Sequence, residues 1–447
     1  MRDLSQEAWL SKRELQDRLV ELISGHGYHF LDTPILEPTD LFLRKSGGEL
    51  ASRMYSFTDA SSNQVSLRPE FTSSIMRYYL EHAHTIDLPA RWQYAGPVFR
   101  YQDAEQASHD PPVSPAIGAT SAKGGSLLRG LQFTQVGAEL VGSAGVIADA
   151  ELVGLALTVT SHVGLSDCWL ELGDLDVLHS VLDAVGVSER ARTFIIGSVP
   201  QLRKGRPALP ALVERAQQLH LATPSSSLRQ RGEETRGDYL SEAIHGLGDT
   251  EARKVLRGLL QWTAVDQMGQ RDPDEVVERL LRKLRGRDDI GTLQRGLELI
   301  ADLSLIHGEP DAAIDAARTV VHQAGADPAA LERLAQLIGL LDASPCPVTG
   351  EGQDGDEIPR TGVLEYSSGV LSRKGRGGGV RLDFGLARGL AYYNGIIFEV
   401  KHPAWPSFLG GGGRYDGLAR ALGSPETVPA LGFAYTLETL LALTGGG

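Results

Sequence analysis

Residues 380–400 read Val-Arg-Leu-Asp-Phe-Gly-Leu-Ala-Arg-Gly-Leu-Ala-Tyr-Tyr-Asn-Gly-Ile-Ile-Phe-Glu-Val. The opening residues alternate apolar and polar as a strand does, a tight break falls at Arg388-Gly389, and a second strand runs through Ile396-Ile397-Phe398. The same habit recurs upstream. Residues 55–59 and 65–70 read as a hairpin over the polar turn 60–63, two more strands follow at 90–94 and 97–101, and 131–141 alternates with a shift permitted at Gly137. Another strand is expected at 168–173. Strands that come in hairpins, rather than in regular βα alternation, favour an α+β fold with a mostly antiparallel sheet flanked by helices over a doubly wound one.

Helices are expected at 7–25, 72–80 and 146–163 from their apolar spacing. From about 178 to 343 Leu, Ala, Arg and Glu dominate, and helix starts recur at Asp272-Pro273, Glu309-Pro310 and Asp327-Pro328. Residues 345–379 are poor in apolar side chains and rich in Gly, Asp and Ser. The strand pattern then resumes and gives way to a helix near 432–443. The expected organisation is a first part of the core at 1–178, a helical insertion at 179–345, a linker or surface hairpin at 346–379, and the rest of the core at 380–447.

Composition narrows the function. Fifty-seven acidic residues against 43 Lys and Arg give a formal charge of −14, a poor start for binding phosphate backbones. Cys168 and Cys346 stand far apart in no paired motif, so neither a disulfide framework nor a zinc site is expected. The N-terminus leads into a charged amphipathic pattern with no apolar signal region, and no run approaches the ~20 apolar residues of a membrane span. The expected location is the cytoplasm, with no membrane contact.

The chemistry-bearing residues collect at strand ends: Glu70 and Thr72, Arg100, Gln135 and Glu139 at spacing four, and Arg388, Tyr392 and Tyr393 after the Arg-Gly break. Carboxylates, an amide and tyrosine hydroxyls suit a small zwitterion with an imidazole side chain. Carboxylates hold the ammonium, an Arg holds the carboxylate, and a Glu and a Tyr partner the two ring nitrogens. The run Gly410-Gly411-Gly412-Gly413 reads as glycines that let backbone approach a ligand closely, and no Gly-Lys-Ser/Thr follows to make it a phosphate loop.

Leu67-Arg68-Pro69-Glu70-Phe71-Thr72, Gly96-Pro97-Val98-Phe99-Arg100, the 132–139 strand, Arg388-Gly389-Leu390-Ala391-Tyr392-Tyr393 and Gly411-Gly412-Gly413-Arg414-Tyr415-Asp416-Gly417-Leu418 together resemble the histidine pocket of histidyl-tRNA synthetases, in the order that family has them. The resemblance implies a class II synthetase-like core, and it implies L-histidine as the ligand of Glu70, Thr72, Arg100, Gln135, Glu139, Arg388, Tyr392 and Tyr393. The departures are as specific. The family's third motif ends in an Arg that binds ATP, where this sequence has Thr439; Gln102 stands where the family has Glu; Ala391 replaces an acidic residue. The loop after Arg100 carries Asp103, Glu105 and Asp110 before its first basic residue, Lys123, which would repel a triphosphate. The sequence also ends soon after the third motif, where a synthetase carries its anticodon-binding domain.

These departures resemble the regulatory subunit of ATP phosphoribosyltransferase, which acts at the first step of histidine biosynthesis. The resemblance implies a homodimer within a hetero-oligomer with the short-form catalytic subunit, histidine as feedback ligand, no tRNA, no cofactor and no metal. The expectation is therefore a chain that is not an enzyme and has no catalytic residues. The alternative is a divergent histidyl-tRNA synthetase that activates histidine with ATP; a third reading is another synthetase-like protein, binding a different amino acid or serving as an interaction module.

Overall fold

The computed structural model describes residues 3–44, 52–102, 129–223, 247–263, 277, 281, 288–343, 379–386 and 392–445. Two compact units divide the chain: 1–177 with 306–316 and 329–447, and 178–305 with 317–328.

The first unit is built on a nine-stranded sheet of β1 (His29–Phe30), β5 (Ala90–Gln102), β6 (Arg129–Val141), β7 (Trp169–Asp174), β10 (His307–Gly308), β11 (Val380–Asp383), β12 (Ile396–Lys401), β13 (Phe408–Arg414) and β14 (Ala430–Thr436). Their spatial order among the described residues is β1-β5-β6-β14-β13-β12-β7-β11-β10. All neighbours run antiparallel except β1 with β5 and β11 with β7. The architecture is the expected α+β one. A small antiparallel sheet of β2 (Leu36–Pro38), β3 (Ser56–Thr58) and β4 (Gln64–Leu67) precedes the site segment.

Helix α1 (Gln6–Gly25) starts where the Ser5 hydroxyl accepts the Ala8 N–H at 3.2 Å. It ends before Gly27, whose φ of +80° continues no helix, and it buries Leu15, Leu19 and Ile23. Helix α2 (Thr72–His82) buries Ile75, Met76 and Tyr79. Helix α3 (Val146–His162) is apolar nearly all round, with Leu152, Leu155, Ala156 and Val159 buried, because it is covered on its outer side by α4 (Ala329–Ala343).

Several sequence expectations are corrected. Strand β5 runs unbroken through Gly96-Pro97 instead of forming two strands. The N–H groups of Phe99 and Tyr101 leave the sheet toward the Arg68 and Arg53 carbonyls, so the missing N–H of Pro97, on the same side, removes no bond from the β6 ladder. The segment expected as a helix from 432 is strand β14 to Thr436, and only α5 (Leu437–Leu443) is helical. The glycine run, for which no element was assigned from sequence, forms the middle of β13. Residues 306–316 and 329–343, counted with the insertion from composition, belong to the first unit, because β10 pairs with β11 and α4 packs on α3. The 344–378 stretch, the loop at 103–128 and the Asp272-Pro273 helix start lie outside the described residues.

In the second unit, the helices Glu189–Gly197 and Ile290–Ser304 bury Ile195, Leu293, Leu297 and Ile300. The Asp288 carboxylate accepts both the backbone N–H and the hydroxyl of Ser188, tying β9 (Asp288–Asp289) to the start of the first of these helices.

Candidate functional site

Register decides which side chains meet. Glu139 on β6 lies opposite Trp92 of β5 and opposite Gly432 of β14, and Gly432 lies opposite Gly413 of β13. These positions share one face of the sheet, with Tyr94, Gly137, Gln135 and Arg100 farther along it. Over that face comes the segment 68–73. Arg68, 2% exposed, anchors it: its Nε donates to the Pro97 carbonyl at 2.9 Å, its Nη1 to the Thr33 carbonyl, and its plane lies 3.9 Å from the centre of the Phe71 ring. Phe71 in turn stacks on Tyr94 at 4.3 Å.

Glu139 is fully buried at the centre. Its carboxyl accepts hydrogen bonds from the Thr72 hydroxyl at 2.8 Å and the Tyr94 hydroxyl at 3.3 Å, and a short one from the Tyr415 hydroxyl. Glu70, also buried, accepts the Ser73 N–H with both oxygens at 3.1 and 3.2 Å, at the N-terminus of α2. Tyr392 is buried beside them, its ring 5.9 Å from Tyr415 and 4.9 Å from Tyr393. Gln135 is nearly buried, and its Oε1 has no hydrogen-bond partner. Arg100 donates from Nε to the Pro69 carbonyl at 2.9 Å and lies over the Phe133 ring.

The electrostatics follow from burial. It pushes the Glu139 carboxyl up to about 8 from an ordinary 4.5, against the hydrogen bonds of Tyr415, Thr72 and Tyr94, while the charge of Glu70 adds to the rise. Burial also raises Glu70, opposed by its Ser73 bonds and by the charge of Arg100. The Tyr94, Tyr392 and Tyr415 hydroxyls rise well above 10, first by burial and then through neighbouring charge, so they are neutral donors at any physiological pH. Because Glu139 is raised, its contribution to folding stability is whole below pH 4.5 and is lost as pH rises through about 8.

Of the residues singled out from sequence, Glu70, Thr72, Glu139, Tyr392 and Tyr393 lie together, while Gln135 and Arg100 lie farther along the same face. Arg388 and Ala391 lie outside the described residues. Sequence reasoning left out Tyr94 and Tyr415, which both bond Glu139, and Gly432, where a Cβ would fall 1.5 Å from the Glu139 Oε2. Tyr415 stood inside a quoted motif, and its place directly after the glycine run was the available signal. Tyr94 in an apolar strand carried none.

The family model described as histidyl-tRNA synthetase matches residues 1–268 and 363–440. A histidine–tRNA ligase of Thermococcus kodakarensis is 26% identical over 99% of this chain and 72% of its own length. One from Sulfurisphaera tokodaii is 25% identical over 98% and 72%. Among solved structures, one described as an ATP phosphoribosyltransferase regulatory subunit/histidyl-tRNA synthetase from Bacillus halodurans superposes with a TM-score of 0.57 at 18% identity, over 99% of this chain and 81% of that one. Histidyl-tRNA synthetase from Nostoc superposes at 0.53 with 15% identity, over 100% and 75%. The fold is class II aminoacyl-tRNA synthetase-like. The expectation of a chain that is not an enzyme is corrected by these relatives, which match nearly its whole length and bear an enzyme's name.

Proposed function

Since this chain belongs to the histidyl-tRNA synthetase family, we propose that the pocket around Glu70 and Glu139 binds free L-histidine. One observation carries the reading. Two buried carboxyls lie near a shell of hydroxyls from Thr72, Tyr94, Tyr392 and Tyr415, carboxylate acceptors for an ammonium group beside hydroxyls that suit an imidazole. The unpartnered Oε1 of Gln135 on the same face supplies one more acceptor. The first reading of the whole chain is activation of histidine with ATP, the chemistry behind the name of its curated relatives.

A second reading is favoured by one position. Thr439, where the family carries its ATP-binding Arg, is 1% exposed within α5, so this side chain packs inward and presents no charge to a triphosphate. That supports a histidine-sensing role beside a short-form ATP phosphoribosyltransferase catalytic subunit, in a hetero-oligomer containing a homodimer of this chain.

Millimolar L-histidine is expected to raise the melting temperature through mass action, by about 2.7 kcal/mol of added stability at a hundredfold excess over Kd. A melting temperature indifferent to histidine would refute the pocket. Histidine-dependent exchange of pyrophosphate into ATP then selects the first reading, and histidine-sensitive stimulation of a short-form phosphoribosyltransferase selects the second.

A further inference from the structure

Several buried or partly buried carboxyls in the first unit have a cation of the chain beside them, while the buried Asp174 accepts a backbone N–H instead. Glu37 is bonded by Arg77 at 2.8 Å, Glu151 by Arg91 at 2.7 Å, and Asp149 by Arg414 at 2.5 Å. Glu70 and Glu139 differ. Among the described residues no Lys, Arg or His nitrogen makes an ion pair with either, although both are buried and Glu70 is close enough for its charge to raise Glu139. The groups facing them are Thr72 from α2, Tyr94 and Arg100 from β5, Gln135 from β6, Tyr392 and Tyr393 before β12, Tyr415 after β13, and the backbone of Gly432 on β14. Arg100 is the one cation in this set among the described residues. Its charge lowers Glu70, while its Nε donates to the Pro69 carbonyl and its guanidinium lies over Phe133.

Two like charges at such a site do not both ionise without a compensating cation. We infer that the pocket takes up its amino acid by exchange: the Glu70–Glu139 pair keeps one proton until a ligand ammonium arrives, and that proton is then released to solvent. The step balances. A carboxylic acid and an ammonium ion become a carboxylate–ammonium ion pair plus one proton, and no covalent bond changes except the acid O–H. Glu139 is the member that carries the proton, because its complete burial outweighs the three hydroxyl bonds that favour its ionised form, whereas Glu70 accepts a backbone N–H with both oxygens; the rise of Glu139 to about 8 agrees with this. Histidine affinity consequently increases with pH across the range in which the pair would otherwise stay protonated.

The inference rests on the histidine reading above, and one experiment separates the two. L-histidine is titrated calorimetrically into the full chain at pH 7.5 in three buffers of different ionisation enthalpy. The apparent enthalpy is expected to vary linearly with buffer enthalpy, with a slope of between half a proton and one proton released, shrinking as the pH rises through about 8 and reversing where free histidine loses its ammonium proton. Tyr415→Phe, which removes a bond to the ionised form, is expected to move the midpoint of release to higher pH. Glu139→Gln is expected to abolish release in whatever binding it retains. Binding in wild type with a buffer-independent enthalpy at pH 7.5 overturns the exchange and leaves the histidine pocket standing. No binding heat or melting shift at any pH overturns both. The wild-type slope decides even if neither variant folds.

Discussion

Two acidic clusters in the first unit are built on opposite principles. Around Arg414, which is 7% exposed, the guanidinium binds Asp149 at 2.5 and 3.0 Å, Asp416 at 3.0 Å and the Ser143 carbonyl at 3.2 Å, so both carboxylates share one internal cation. Around Glu139 the carboxyl has hydroxyl donors but no cation among the described residues. A closed ion cluster holds elements together, here the start of α3 to the end of β13. A cluster with donors and no cation does little for the fold that an apolar side chain would not do, and it is suited to a charge from outside. The carboxylates of the first cluster are partly exposed and paired, whereas those of the second are buried without a cation among the described residues.

The largest expected effect comes from breaking the closed cluster. Arg414→Ala leaves the largely buried Asp149 without its cation and is expected to cost about 3–5 kcal/mol in denaturant unfolding, with histidine binding per folded molecule retained. Next is Gly432→Ala at the open cluster. Its Cβ would meet the Glu139 carboxyl at 1.5 Å, so the carboxyl must move. The expected cost is about 1–3 kcal/mol, together with loss of the histidine-induced melting shift. Retention of that shift would mean that Glu139 does not have to sit where it does. The smallest effect is expected from Lys12→Ala. Lys12 meets Glu438 at 2.7 Å, but both side chains are nearly a quarter exposed, and Glu438 keeps the Thr134 N–H. A loss of about 0.5 kcal/mol, shrinking with added salt, is expected in the same unfolding assay.

Much of the site was legible because its chemistry sits on residues that strands and helix starts rarely bury without reason. A Glu two residues before Thr72, and a Gln and a Glu four apart on an alternating strand, stand out against apolar neighbours. Tyr94 did not, since a tyrosine in such a strand reads as core, and only the register with Gly137 brings its hydroxyl to Glu139. Strand β14 was misread because Ala-Leu-Gly-Phe-Ala-Tyr-Thr is apolar nearly throughout; buried on both faces, it shows neither a period of two nor one of 3.6. The glycines of β13 carried a signal of another kind. Glycine signals a loop in isolation, but here it signals crowding, and a Cβ on Gly413 would lie 2.7 Å from the Ile396 carbonyl and 2.9 Å from the Tyr393 ring.

The row Glu139, Gly432, Gly413 has a consequence for how such a pocket can change. Two of its three positions offer only main chain, and neither has space for even a methyl group. Substitution there cannot retune selectivity by degrees; it blocks. Any change in what the pocket admits has to come through the walls, at Thr72, Tyr392 or Tyr393, where side chains rather than main chain set the shape.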